Sequence, residues 1–209
     1  MQRFLTNVGV ALAVIVVAGV AAFVGWDLGR PATHHAASPT TTLRQAAVAM
    51  ESVASYRFSG HLTIGVEVLT LSGEFSTPDN LHETLVLGGA APVERIVVGQ
   101  VTYQKGPFGW AKVASATTAS DPRSTFGALA LATHVTQSGS VYSFSMTGPP
   151  AAALVTGVGP DSTVTGTVTL QAGQIVSITY SAPVGAGTTV TFIYSGIGTT
   201  PPVTAPAGV

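Results

Sequence analysis

Tyr56-Arg57-Phe58-Ser59-Gly60-His61-Leu62-Thr63-Ile64-Gly65-Val66 decides the fold. Tyr56, Phe58, Leu62, Ile64 and Val66 are apolar at even positions, and Arg57, Ser59, His61 and Thr63 are polar at odd ones. A period of two marks a β-strand with one dry and one wet face, because successive side chains point to opposite sides of a sheet. The rhythm returns downstream. Leu69, Leu71 and Phe75 continue it up to the Thr77-Pro78-Asp79-Asn80 turn, and Leu81, Leu85 and Leu87 run on to Gly88-Gly89. Ile96 and Val98 pass through Gly99-Gln100 into Val101 and Tyr103, and Phe108-Gly109-Trp110 opens a further strand after Lys105-Gly106-Pro107. Tyr142, Phe144 and Met146 resume the series. Val164, Val168 and Leu170 follow, then a Gln171-Ala172-Gly173-Gln174 hairpin onto Val176, Ile178 and Tyr180, and a last strand with Val190, Phe192 and Tyr194. Short Gly or Pro turns between such runs predict about nine to eleven antiparallel strands, a mainly β (α+β) domain.

Two or three short helices interrupt the strands. Leu43, Ala46, Ala47, Met50, Val53 and Ala54 fall at helical spacing behind a Thr42–Gln45 capping-box signature, so an amphipathic helix precedes the first strand. Asp121 to Thr133 breaks the β rhythm, with Pro122 at a plausible first helical position and Phe126, Leu129, Ala130 and Thr133 on one face. Pro149-Pro150-Ala151-Ala152-Ala153-Leu154 reads as one helical turn. Thr199 to Val209, rich in Pro and Gly, reads as a loose tail.

Ahead of the domain, Val8 to Trp26 is a run of 19 apolar or Gly residues, about what a helix needs to cross the hydrocarbon core. It exceeds a signal-peptide apolar region and ends in Trp26, an interfacial aromatic, rather than in a clean small-x-small cleavage site. The expectation is a short cytoplasmic tail (1–7), a transmembrane helix (8–26), a Pro-, Ser- and Thr-rich flexible stalk (27–42), an extracytoplasmic domain (43–198) and the tail (199–209). That places the chain in the plasma membrane as a single-pass protein, N-terminus inside; cleavage near Ala18, Ala21 or Ala22 would make it secreted instead.

Composition closes off several functions. There is no cysteine among the 209 residues, hence no disulfide, thiolate metal site, Cys nucleophile or lipid-modified Cys. From residue 40 onward six basic residues stand against eight acidic ones, scattered without a basic stripe, which argues against nucleic acid as a partner. His34 and His35 are adjacent but have no further ligand nearby, and they read as solvated stalk residues; no metal or cofactor is expected. Gly157-Val158-Gly159 stops short of a dinucleotide fingerprint because Ser162 stands where the third Gly belongs. His61, His82 and His134 fall on polar or boundary strand positions, Asp121 and Asp161 beside turn residues, and the five Glu are not paired as an acid and a base. No catalytic residue is expected.

The order of motifs carries a resemblance. Leu43-Arg44-Gln45-Ala46 runs into Val53-Ala54-Ser55-Tyr56-Arg57-Phe58-Ser59-Gly60; Leu71-Ser72-Gly73-Glu74-Phe75 with Pro78 follows. Glu94-Arg95-Ile96-Val97-Val98-Gly99 comes next with Tyr103-Gln104-Lys105 and Trp110, and then Val164-Thr165-Gly166-Thr167-Val168 with Gly173-Gln174-Ile175. From about Leu43 to Pro202 this resembles the LolA-like fold, above all the actinobacterial LppX and LprG lipoproteins. The resemblance implies a strongly curved antiparallel half-barrel with helices on its concave face, a cavity for acyl chains of a lipid or lipoglycan, and carriage without catalysis. The chain departs from that pattern in lacking the lipid-bearing Cys, so the apolar run would replace the lipid anchor.

Three readings of function stand. In the first, the domain binds or carries a hydrophobic ligand, with Phe58, Leu62, Ile64, Phe75, Leu85, Phe126, Leu129, Tyr142 and Phe144 lining the cavity. In the second Phe58, Ile64, Phe75, Leu85, Phe126, Leu129, Tyr142 and Phe144 simply pack together as a filled core, and the domain is an envelope scaffold or protein-interaction module. The third, a hydrolase, would need Ser, His and a carboxylate converging in a cleft.

Overall fold

The computed structural model describes residues 37–113, 123–155, 158–184 and 187–209. The expected tail (1–7), transmembrane helix (8–26) and the stalk up to residue 36, with His34 and His35, lie outside the described residues, as do Asp121, Pro122 and Gly157. Among the described residues no helix is long and apolar enough to cross a membrane.

Helix α1 (Pro39–Glu51) leads into six strands, β1 (Ser55–Ile64), β2 (Glu67–Ser76), β3 (Asn80–Leu87), β4 (Val93–Val98), β5 (Val101–Gly106) and β6 (Gly109–Val113). Helix α2 (Ser124–Leu129), β7 (Thr133–Ser138), β8 (Val141–Met146), helix α3 (Pro149–Leu154), β9 (Val164–Gln171), β10 (Gln174–Ala182) and β11 (Thr188–Ser195) complete it. All eleven strands form one curved antiparallel sheet in the order β6-β5-β4-β3-β2-β1-β11-β10-β9-β8-β7. The first strand therefore pairs with the last, Arg57 opposite Ser195 through Ile64 opposite Thr188, and two meanders spread outward from that junction to the edges β6 and β7. Tight turns make this possible. Ala172 and Gly173, both at positive φ, close β9 onto β10 in the two-residue geometry whose twist matches the strands.

Three glycines inside strands shape the sheet's inner face. Gly60 lies opposite Phe192, Gly73 opposite Phe58, and Gly166 opposite Phe144, in each case an aromatic on the neighbouring strand. A Cβ on Gly60 would stand 2.5 Å from Phe192 Cδ1, and one on Gly166 would stand 2.7 Å from Phe144 Cζ. The rings lie across the bare backbone, so each glycine is needed for close approach and its lost strand propensity is offset by aromatic cover.

Helix α1 differs from its expected start. Ser38 is the N-cap, its Oγ accepting from the Thr41 N–H at 3.2 Å, and Pro39 takes the first turn. The Thr42–Gln45 pair is therefore inside the helix, and residues 39–42, expected in the stalk, are helical, because Ser-Pro supplies both a capping oxygen and a preset φ. Leu43, Ala46, Ala47 and Met50 are buried in one cluster with Tyr56, Phe58 and Phe75 of the sheet. Helix α2 is shorter than Asp121 to Thr133: it ends at Leu129, and Thr133 opens β7. Strand β7 has no counterpart in the sequence pattern. It is an edge strand whose register slips between Thr133 and Thr136, with His134 at φ 48° and a single half-buried apolar residue, Val135, so no alternation survives.

The segment after β11 is docked rather than loose. Val203 is buried with Ile96 and Tyr103 on the outer face, its N–H donates to Ser76 Oγ at 2.9 Å, and its carbonyl accepts from Asn80 Nδ2 at 3.4 Å. Pro-rich composition indicates a chain without regular structure, not one without contacts.

Gly73 tests this account of the inner face. Its substitution Gly73→Ala would bring a Cβ to 2.1 Å from the His82 carbonyl oxygen, a backbone atom that cannot swing away. Denaturant unfolding should show a loss of about 1–3 kcal/mol. Gly159→Ala, whose Cβ would meet only Ser162 Oγ at 3.4 Å, should stay within about 0.5 kcal/mol of wild type.

Candidate functional site

The inner face is filled at one end of the strands and hollow at the other. At the filled end Tyr56 is fully buried, its ring stacked on Phe75 at 5.1 Å and edge-on to Tyr194, Phe126 and Phe58 at 5.6, 6.0 and 6.3 Å. These rings tie β1, β2, β11 and α2 into one cluster. Further along β1, between the sheet and the ends of α2 and α3, a cavity of about 560 Å³ opens. Its walls are Phe58, Gly60, Leu62 and Ile64 of β1, Leu69 and Leu71 of β2, Leu81 and Leu85 of β3, and Val190, Phe192 and Tyr194 of β11. Tyr180 of β10, Val184 and the Ala153-Leu154-Val155 end of α3 complete the apolar lining. Exposure marks the mouth. Along β1 it rises from 6% at Phe58 to 50% at Ile64, and Leu87 and Val93, in the inner phase of β3 and β4, are exposed as well.

Four of the nine side chains expected from the sequence, Phe58, Leu62, Ile64 and Leu85, line this cavity. Phe75, Phe126, Leu129, Tyr142 and Phe144 belong to the filled core and are not part of its lining. Alternation identifies the face a residue occupies but not the end of the strand that a helix covers, so both groups carried the same signal. Leu71 and Leu69 pair directly with Gly60 and Leu62, and Phe192 and Val190 pair with the same two residues from the other side.

Two charges stand in this apolar wall. Glu83 of β3 faces Arg95 of β4 in the strand register, and Arg95 Nε donates to Glu83 Oε1. The Glu83 side chain is only 6% exposed and that of Arg95 26%. Burial lowers the Arg95 pKa from its ordinary value. The sequence carried this signal: Glu83 is in phase with apolar Leu81 and Leu85, and Arg95 with Val93 and Val97. A charged residue in the apolar phase of two adjacent strands is an inward-facing pair. Ser124 and Thr125, at the start of α2, add hydroxyls to the lining.

The outer face shows what the wet phase of the strands does instead. Arg57 Nε donates to Glu74 at 2.9 Å, and Glu94 takes Lys105 at 2.7 Å and His82 at 3.0 Å. The Lys105 and His82 contacts hold the Glu94 carboxyl below its usual range. These are solvated cross-strand pairs. Among the described residues no group of three or more His, Asp or Glu is placed to hold a metal.

Comparison with solved structures was decisive for the fold. The lipoprotein LppX of Mycobacterium tuberculosis superposes with a TM-score of 0.56 at 12% identity, covering 80% of this chain and 98% of LppX. LprF from Mycobacterium bovis gives 0.58 at 13% identity, over 81% and 97%. The chain has the fold of LppX and LprF. That bears out the resemblance read from the order of its motifs, at the level of architecture. No protein-family model and no curated protein sequence matches the chain.

Burial of the tyrosines on the cavity wall sets the alkaline limit of stability. Tyr180, whose hydroxyl donates to the Leu154 carbonyl at 3.3 Å, is pushed by burial from 10.0 to about 12, and burial also raises Tyr194 well above its ordinary value. Each phenol keeps its proton in the folded state at a pH where the unfolded chain has released it. Their contribution is therefore complete below about pH 10 and is lost as pH rises toward the folded value. Denaturant melts should be level up to about pH 9 and fall above it, by roughly 2–3 kcal/mol for Tyr180 alone. Tyr180→Phe should make that fall shallower.

Proposed function

We propose that this protein is a membrane-anchored, extracytoplasmic binder or carrier of a hydrophobic ligand bearing an acyl chain, and not an enzyme. The observation that carries the reading is the cavity of about 560 Å³ walled by the apolar phase of five strands, inside the ~300–1,000 Å³ range of small-molecule sites. An apolar hollow of this size loses dispersion contacts unless something fills it. Each methylene moved into it from water contributes about 0.8 kcal/mol, so an acyl chain of ordinary length offsets the cost of its immobilisation without a charged contact. The sheet's fold is shared with LppX, a lipoprotein, which supports the same direction. In this reading the concave face of the curved sheet holds the chain, and α1 and α2 plug one end of that face.

Val8 to Trp26 would hold the domain at the plasma membrane in place of a lipidated Cys. Tethered through a stalk, the domain would pass a lipid or lipoglycan to a neighbour rather than ferry it across the envelope. Packed core is present as well, around Tyr56, Phe75 and Phe126, and it leaves the cavity beside it unfilled.

Native mass spectrometry of the full chain isolated from its own membranes should show a copurified lipid at near-stoichiometric occupancy. Leu62→Asp places a carboxylate on the cavity wall and should abolish binding of a fluorescent acyl ester, a loss of about a hundredfold or more. Arg57→Ala, on the wet face, should leave binding unchanged. No copurified lipid, or equal loss in the two variants with the fold intact, would reject the carrier.

A further inference from the structure

The Glu83–Arg95 pair is an odd feature for a cavity that needs only to be greasy. Two charges removed from water are costly, and replacing such a pair by apolar residues of similar volume is often neutral or stabilising. Its position is informative. Glu83 lies in the cross-strand row of Gly73 and Phe58, and Arg95 extends that row by one strand. That row is the inner end of the cavity, whereas the exposed mouth lies near Ile64, six residues or about 20 Å further along β1. The charged pair therefore lies away from the opening, where Ile64 and Leu87 are exposed, while His61 and Thr188, the latter opposite Ile64, are the polar lining nearer that opening.

We propose, building on the carrier reading, that Glu83 and Arg95 recognise the polar end of the ligand. They select an uncharged, hydroxyl-bearing acyl ester over a free fatty acid, with the chain running from the pair to the mouth. The argument is one of charge and of donors. The pair meets through Arg95 Nε and Glu83 Oε1, which leaves Glu83 Oε2 as an acceptor and the Arg95 Nη groups as donors. A neighbouring acceptor and donor with no net charge match a hydroxyl and an ester carbonyl. Ser124 and Thr125 supply further neutral partners on the same lining. A carboxylate placed there would leave the site with a net negative charge, because Glu83 already neutralises Arg95, and a buried charge without its own partner is strongly disfavoured. An ammonium fails by the same reasoning with the sign reversed.

The test is a competition. The full chain, kept soluble in a fluorinated surfactant, is equilibrated with equal amounts of monomyristoylglycerol and myristate at about pH 8, where a free carboxylic acid is ionised. Occupancies are read by native mass spectrometry. Wild type should carry the acylglycerol about tenfold over myristate. Glu83→Gln leaves Arg95 as an uncompensated cation and should reverse the preference. The double substitution Glu83→Leu with Arg95→Met removes both charges at similar volume, so it should bind both lipids and discriminate weakly. Equal occupancy by the two lipids in wild type, or an unchanged ratio in Glu83→Gln, overturns the proposal while leaving the carrier intact. Absence of both lipids from wild type overturns the carrier and this assignment together.

Discussion

Too little helix covers too much sheet, and the rest of the structure follows from that shortage. Eleven strands at about 4.8 Å spacing present an inner face roughly 50 Å across. The described helices that oppose it have 13, 6 and 6 residues, so even α1 is only about 20 Å long. An apolar face must be covered or filled. At the Tyr56 end α1 and α2 do this with Leu43, Met50, Phe126 and Leu129, each buried to 1% exposure or less. Toward the Ile64 end the sheet and the ends of α2 and α3 leave a hollow between them.

Curvature and cavity are linked through the cross-strand partners. Gly60 and Gly73 are where β1 and β2 give up side chains so that Phe192 and Phe58 can lie against backbone. The same omission leaves the wall between Phe58 and Leu62 without a Cβ, and both Gly60 and the flanking aromatics line the hollow. The Glu83–Arg95 pair sits beside Phe58 in the lining and is the ion pair of an otherwise mostly apolar wall.

Much of this was legible in the residues. Alternation through β1, β2 and β3 placed Phe58, Leu71, Phe75, Leu81 and Leu85 on one face, and Gln171-Ala172-Gly173-Gln174 announced its hairpin through turn chemistry. Strand β7 was illegible because edge position and a bulge erase the apolar period on which recognition depends. Within the site the division was physical. Leu62 and Phe75 belong to neighbouring strands on the same face, and only tertiary coverage, a long-range property, makes one a cavity wall and the other a core residue. Glu83 and Arg95 were legible in principle, as charges standing in the apolar phase of their own strands. Val203 was not, since nothing local distinguishes a docked Pro-rich segment from a solvated one.

The central claim is that the hollow end of the inner face, and not the core end, holds an acyl chain. Nuclear Overhauser contacts between an isotope-labelled monoacylglycerol and the protein's methyl groups test this directly. The account predicts contacts to Leu62, Leu71 and Leu85, with none to Leu129 or Met50. Contacts confined to the outer face, or no contact to any inner-face methyl at saturating lipid, would contradict it.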